Sequence, residues 1–280
     1  KLKDGKNTVV EFEVEQDVKD FIADFDYRAT YDWEKDPDHR RMPRDKATIH
    51  DELGRPIQVT GPEIDMALTI ASDGKKVSLD PRLVNLDVGG PGARITELTG
   101  QVLKVWNETK DKTYTNPDGT VSDKTGGLQI IFCDQGTPGG ASHNIYADIR
   151  TALAEQGMNP DRVQFIHDWK GKEDQLYRRC NAGDVDVIIG STAKMGTGAN
   201  IQTRAVALHH LDIPWRPADL EQREGRIIRQ GNQNSDIDIF NYVAAGTFDA
   251  VMWQTLYRKQ KFINQFYAAD RTLRQMDSLD

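Results

Sequence analysis

Two cysteines in 280 residues, Cys133 and Cys180, are too few for a disulfide framework or for a cysteine-ligated zinc site. Both read as reduced core thiols of a cytosolic protein. No apolar run approaches the roughly 18 residues that a membrane span needs, and no leader-peptide pattern opens the chain. There is no G-x-x-x-x-G-K-[ST] loop either: Lys6, Lys75 and Lys172 each follow a glycine, yet none precedes Ser or Thr. By itself the chain is therefore expected to lack a cradle for nucleotide phosphates and their Mg²⁺. Positive charge is also in deficit, with 36 Lys and Arg against 44 Asp and Glu for a net charge of −8. That balance argues against broad, nonspecific coating of nucleic acid. A local basic surface remains compatible with it, because screening limits charges to about 10 Å at cellular salt. The first residue is Lys1 rather than Met, so the chain is expected to be a piece of something longer.

What is present falls into two textures. Residues 8–14 (TVVEFEV) alternate apolar and acidic, a half-buried strand pattern. Residues 16–30 carry Val18, Phe21, Ile22, Phe25 and Ala29 at helical spacing. Residues 32–51 are dense in charge, with Pro37 and Pro43, and read as an exposed loop. Asp51-Glu52 lies there without a preceding apolar strand, which argues against a metal-binding acidic pair. Residues 63–86 read as helix interrupted by an Asp73-Gly74 turn. A Gly89–Gly92 break precedes an amphipathic helix over 93–110, and residues 113–127 read as a surface turn or short hairpin.

From Leu128 onward short apolar strands alternate with helices. The spacing predicts strands at 128–133, 163–167, 186–192, 205–212 and 237–243, with helices at 143–157, 170–182 and 247–270 between or after them. Such alternation implies a parallel sheet covered on both faces, with ligands held at the carboxyl ends of its strands. His209 and His210 are neighbours on one strand, so they point to opposite faces and cannot share a metal; no metal site is expected. His167 is given no role. Arg258, Lys259, Lys261, Arg271 and Arg274 read as a solvated helix face.

The chain is organised around residues 222–231, QREGRIIRQG. In a helix, Gln222, Arg226 and Arg229 would share a narrow face, with Leu220, Ile227 and Ile228 opposite on a core. Arginine's planar, permanently charged fork suits phosphate. A solvated face paired with Glu221 and Glu224 is the competing reading.

The order of motifs resembles the second RecA-like domain of superfamily-two helicases, in the Swi/Snf-type branch of double-stranded DNA translocases. LQIIFCD (128–134) resembles motif IV, STAKMGTGAN (191–200) motif V, and LDIPWRPADLEQREGRIIRQG (211–231) the Trp-Asn-Pro segment running into motif VI. The likeness covers residues 128–266 and is weaker over 8–110. Met195 stands where that family has glycine, and Arg216 where it has Asn.

The resemblance implies an α/β, RecA-like lobe over 128–280, preceded by a mostly helical extension over 1–127 that packs on it. It implies that Arg226 and Arg229 act as arginine fingers on ATP with Mg²⁺, bound by an N-terminal RecA-like lobe that this chain lacks. Gln222, Gly196, Gly198 and Asn200 would line the nucleotide. Ser191, Thr192, Lys194 and Thr197 would touch the backbone of double-stranded DNA, and Trp215 is expected to pack rather than stack on bases. The lobe would act only within the full protein, a cytoplasmic, bacterial or phage- or plasmid-encoded polypeptide linked to a methyltransferase or restriction module. The alternative is a non-catalytic RecA-like module that binds DNA or protein within a larger DNA-modification protein.

Overall fold

The computed structural model describes residues 1–3, 7–30, 48–50, 56–58, 67–140, 143–195 and 198–277. Six strands form one sheet: β1 (Thr8–Phe12), β4 (Leu128–Phe132), β5 (Val163–Phe165), β6 (Val187–Gly190), β7 (Ala205–His210) and β8 (Asp238–Ala244). Their order is β1-β8-β7-β4-β6-β5, and every pairing is parallel. The α/β architecture expected from the alternating pattern, a parallel sheet with helices on its faces, is therefore the observed one. The acidic-alternating N-terminal strand joins the same sheet as its edge, Val10 lying opposite Tyr242.

Central strands buried on both faces favour apolar side chains at nearly every position. Successive residues of β4 divide accordingly. Ile131 and Cys133 enter one cluster with Val187, Ile189 and Ala207, whereas Leu128, Ile130 and Phe132 enter another with Ile188 and Leu208. The first cluster is roofed by α4 (Ala93–Thr109) and α5 (Ile145–Glu155), with α1 (Gln16–Ala23), α2 (Phe25–Thr30) and α3 (Ala67–Leu79) beside them. The second is roofed by α6 (Glu173–Ala182), the short helix α7 (Thr192–Met195) and the turn around Ile227. A smaller cluster of Ile213, Leu220, Trp253 and Leu256 joins α8 (Pro217–Glu224) to the closing helix α9 (Phe248–Asp277).

Four expectations change. Residues 16–30 form two helices, broken at Asp24. Thr48–His50 is a strand (β2), paired antiparallel with Pro56–Gln58 (β3), rather than loop; the rest of the 32–51 loop, with Asp51 and the following Glu52, lies outside the described residues. Helix α3 runs through Asp73-Gly74 without a turn. Arg28 grips Asp73 at 2.6 Å, and a Cβ on Gly74 would stand 3.1 Å from the Phe25 ring, so the glycine serves a close approach rather than a break. The arginine-rich helix, finally, ends at Glu224.

Gly183 ends α6 at φ 87°, and a Cβ there would meet the Arg204 guanidinium at 2.3 Å. Gly183→Ala is expected to cost about 1–3 kcal/mol, from the left-handed backbone and the displaced arginine together. Urea unfolding checks it; a loss below about 0.5 kcal/mol would contradict the geometry.

Candidate functional site

The chain order reverses around β4: the connection from β4 leads towards β5 and β6 on one side, and β7 lies on the other. At such a switch point the loops leaving neighbouring strands part and open a crevice. A cleft of about 490 Å³ lies there, lined by Asp134 and Thr137 after β4, His167 after β5, Ser191, Thr192, Ala193 and Lys194 after β6, and Arg216, Asp219 and Gln222 from the approach to α8 and from α8 itself.

Beneath this cleft lies a side chain that the sequence reading passed over. Arg223 is wholly buried. Its Nη2 donates to Asp134 Oδ2 at 2.8 Å and to Asp212 Oδ1 at 2.9 Å. Its Nη1 donates to the Asp212 carbonyl at 2.8 Å and its Nε to Thr192 Oγ1 at 2.8 Å. Thr192 in turn gives Asp134 both its amide, at 2.6 Å, and its hydroxyl, at 2.9 Å. Asp212 Oδ2 accepts the Asp134 amide at 2.6 Å. Burial alone would raise the Asp212 carboxyl; the Arg223 guanidinium, the charge of Lys75 and the Asp134 amide outweigh it and hold the pKa below the usual range. A buried guanidinium is tolerable only when it is paired and bonded this fully. The signal was present in the spacing: Leu220, Arg223 and Ile227 recur at i, i+3 and i+7, which places Arg223 on the buried stripe.

The other expected residues divide. Ser191, Thr192, Lys194 and Gln222 line the cleft together. Arg226 and Arg229 do not line it; they lie on the turn that follows α8. There the Arg226 amide donates to the Arg223 carbonyl at 3.1 Å and Nη1 to the Ala199 carbonyl at 3.2 Å. Burial, and then the nearby charge of Arg229, pulls the Arg226 pKa down. With α8 ended, Ile228 is exposed while Ile227 stays buried, so the two do not share a core face. Gly198 adopts φ 75° and Asn200 is exposed, its carbonyl taking a bond from Asn181 at 2.7 Å. Gly196 and Thr197 lie outside the described residues.

Trp215 departs from the packing expectation. It is half-exposed, with the buried Lys75 holding its ammonium 5.3 Å from the ring centroid. Arg216 clamps Asp219 through two bonds of 2.9 and 2.7 Å at the start of α8. Met195 is buried against Gly190, where its side chain fills the space a Cβ would need. His167 faces the cleft, and burial followed by the charge of Lys194 lowers its pKa.

His209 and His210 point to opposite faces. His209 lies between Tyr242 Oη at 2.9 Å and Gln129 Oε1 at 3.0 Å, stacked on Phe240. His210 lies against Trp253, with Nε2 3.6 Å from Glu224, a contact too long for a hydrogen bond. Among the described residues no group of three or more His, Cys, Asp or Glu could hold a metal, and no helix is long and apolar enough to cross a membrane.

Burial, aided by His210, lowers the His209 pKa to about 3. The unfolded ring binds a proton near pH 6.5 that the folded one refuses. The stability it confers is therefore full above about pH 6.5 and lost as pH falls towards 3, at up to about 1.4 kcal/mol per unit. His209→Gln is expected to remove one proton's worth of that slope in denaturation curves between pH 7 and pH 4. A wild-type slope in the variant would contradict the assignment.

Residues 122–231 match the family model for the helicase conserved C-terminal domain. Curated relatives align over 93 residues. One is the "Defense against restriction protein B" of Escherichia phage P1, 32% identical over 33% of this chain and 4% of that protein. Another is an uncharacterized ATP-dependent helicase, YqhH, of Bacillus subtilis strain 168, 37% identical over 32% of this chain and 15% of that protein. Among solved structures, the C-terminal part of the Fun30 ATPase domain aligns with a TM-score of 0.38 and 16% identity, covering 46% of this chain and 39% of that one. Residues 122–231 are thus similar to a helicase C-terminal domain, and the stretch aligned with either curated relative is a small fraction of that relative.

Proposed function

We propose that this chain is the C-terminal motor lobe of an ATP-driven translocase of the Swi/Snf type, acting on double-stranded DNA. In this reading residues 128–280 are the lobe and residues 1–127 an extension packed on it. Arg226 and Arg229 stabilise charge on the transferring phosphoryl group of ATP·Mg²⁺ held by an N-terminal RecA-like lobe. Gln222, Gly196, Gly198 and Asn200 line the nucleotide, while Ser191, Thr192, Lys194 and Thr197 meet DNA phosphates. The observation that carries the reading is the convergence at one switch point. Ser191, Thr192 and Lys194 form one wall of the cleft, Gln222 stands on the helix bounding it, and the turn bearing Arg226 hangs from that helix. The reading places the full protein in a cytoplasmic, phage- or plasmid-type setting beside a methyltransferase or restriction module; the phage relative's name bears on the phage and restriction parts of that setting alone.

Phosphate contact predicts a salt signature. In the longer natural polypeptide, Lys194→Ala is expected to weaken duplex binding and to reduce the slope of log K against log salt by about 0.9. Fluorescence anisotropy with a labelled duplex at several salt concentrations reads it. An unchanged slope removes Lys194 from the interface.

A further inference from the structure

The bonds around Arg223 form a closed ring. Arg223 Nε–H donates to Thr192 Oγ1, the Thr192 hydroxyl donates to Asp134 Oδ2, and the same oxygen accepts Arg223 Nη2–H. Thr192 opens the short helix Thr192–Met195 that carries Lys194 and follows Ser191, whereas Arg223 belongs to the helix with Gln222. The carbonyl of Arg223 carries the amide of Arg226. Within this cluster, then, the wall bearing Ser191 and Lys194 is joined to the turn bearing Arg226 through three side chains.

The ring also has a second possible acceptor. Both Thr192 donors, amide and hydroxyl, are held by Asp134, which is partly exposed at the cleft and lines it. An anionic oxygen entering beside Thr192 competes with the Asp134 carboxylate for those same donors, and like charge sets the two apart. When Thr192 turns to the newcomer, Asp134 retains Arg223 as its side-chain partner and Arg223 loses its bond to Thr192. The hold on the end of α8 therefore differs between the empty and occupied cleft. This is the differential contact that a coupling between two sites requires.

We propose that Arg223, Asp134 and Thr192 are positioning residues that transmit occupancy of the cleft by a nucleic-acid phosphate to the placement of Arg226. The proposal rests on the motor reading above and adds to it a route between the two sites.

The test uses the longer natural polypeptide and a blunt DNA duplex at saturating concentration, so that changes of affinity drop out. The quantity read is the ratio of ATP hydrolysis with duplex to hydrolysis without it. Asp134→Asn keeps the shape and removes the charge; Thr192→Val removes the hydroxyl; Thr192→Ser retains it. The expected result is a ratio at least tenfold below wild type for Asp134→Asn and Thr192→Val, with Thr192→Ser within about twofold of wild type. A ratio unchanged in Thr192→Val overturns the proposal even if Asp134→Asn fails to fold. So does a fall in both rates by the same factor, which marks a structural role only. If the wild type shows no stimulation by duplex, the motor reading itself fails, an outcome distinct from a stimulated wild type with fully stimulated variants.

Discussion

Replacing Arg226 by alanine in the longer natural polypeptide is expected to lower nucleic-acid-stimulated ATP hydrolysis by at least about 10²-fold, within reach of the roughly 10³ to 10⁵ associated with arginine fingers. ATP and DNA should still bind. The size of the effect follows from where the charge sits. The Arg226 backbone is fixed by the Arg223 carbonyl, and its guanidinium rests against the Ala199 carbonyl beside the charge of Arg229. A cation held by the protein stabilises developing phosphoryl charge with little reorganisation where the bound nucleotide and the facing lobe exclude water. Arg229→Ala is expected to act in the same direction. Loss of hydrolysis with retained affinity marks a contact made in the transition state. Retained hydrolysis in both variants would leave the arginine-finger assignment without support.

The second large effect concerns stability. Arg94, on α4, is 2% exposed and reaches four elements. Its Nε donates to the Ser78 carbonyl at 2.8 Å, and its Nη1 to the carbonyls of Leu211 and Tyr242 at 3.0 and 3.2 Å. Its Nη2 pairs with Asp249 of α9, which also takes the Ala244 amide at 2.9 Å. The guanidinium lies 5.3 Å from the Phe12 ring centroid. One side chain thus ties the N-terminal helices to the ends of β7 and β8. Arg94→Ala would leave Asp249 buried without its counter-charge and three carbonyls short of a donor, a loss of about 3–5 kcal/mol. Denaturant unfolding of wild type, Arg94→Ala and Arg94→Ala/Asp249→Leu measures it. The double variant should recover part of the loss, because no unpaired charge remains. A single-variant loss under about 1 kcal/mol would contradict the network.

The strands were legible because their physics is local. LQIIF and VIIG are buried and apolar but for Gln129, close to the continuous apolar run expected of strands covered on both faces, and helices with glycine stops separate them. What the sequence did not yield depended on contacts across the fold. Asp73-Gly74 reads as a turn in isolation, but the Phe25 ring and Arg28 hold it in a helix. The QREGRIIRQG stretch reads as continuous helix, yet α8 closes at Glu224 and Arg226 and Arg229 leave the face shared with Gln222. The cleft follows the same division. Ser191, Thr192, Lys194 and Gln222, singled out from their motifs, line it together. Asp134 was visible only as a residue ending a strand. Its meeting with Thr192 and Arg223 depends on β4 lying between β6 and β7, an order that no local pattern encodes. Arg223 was hidden for a different reason: a charged residue on an apolar stripe is read as solvent-facing until its two carboxylate partners are known.

The central claim is that this lobe belongs to a motor driven by ATP and engaged by DNA. Its most direct test is the rate of ATP hydrolysis by the longer natural polypeptide, measured with Mg²⁺ in the absence of nucleic acid and then with saturating duplex DNA, single-stranded DNA or RNA. The account predicts a low rate without nucleic acid and the largest stimulation by duplex DNA. Absence of hydrolysis under all four conditions would contradict it and leave a RecA-like binding module in its place.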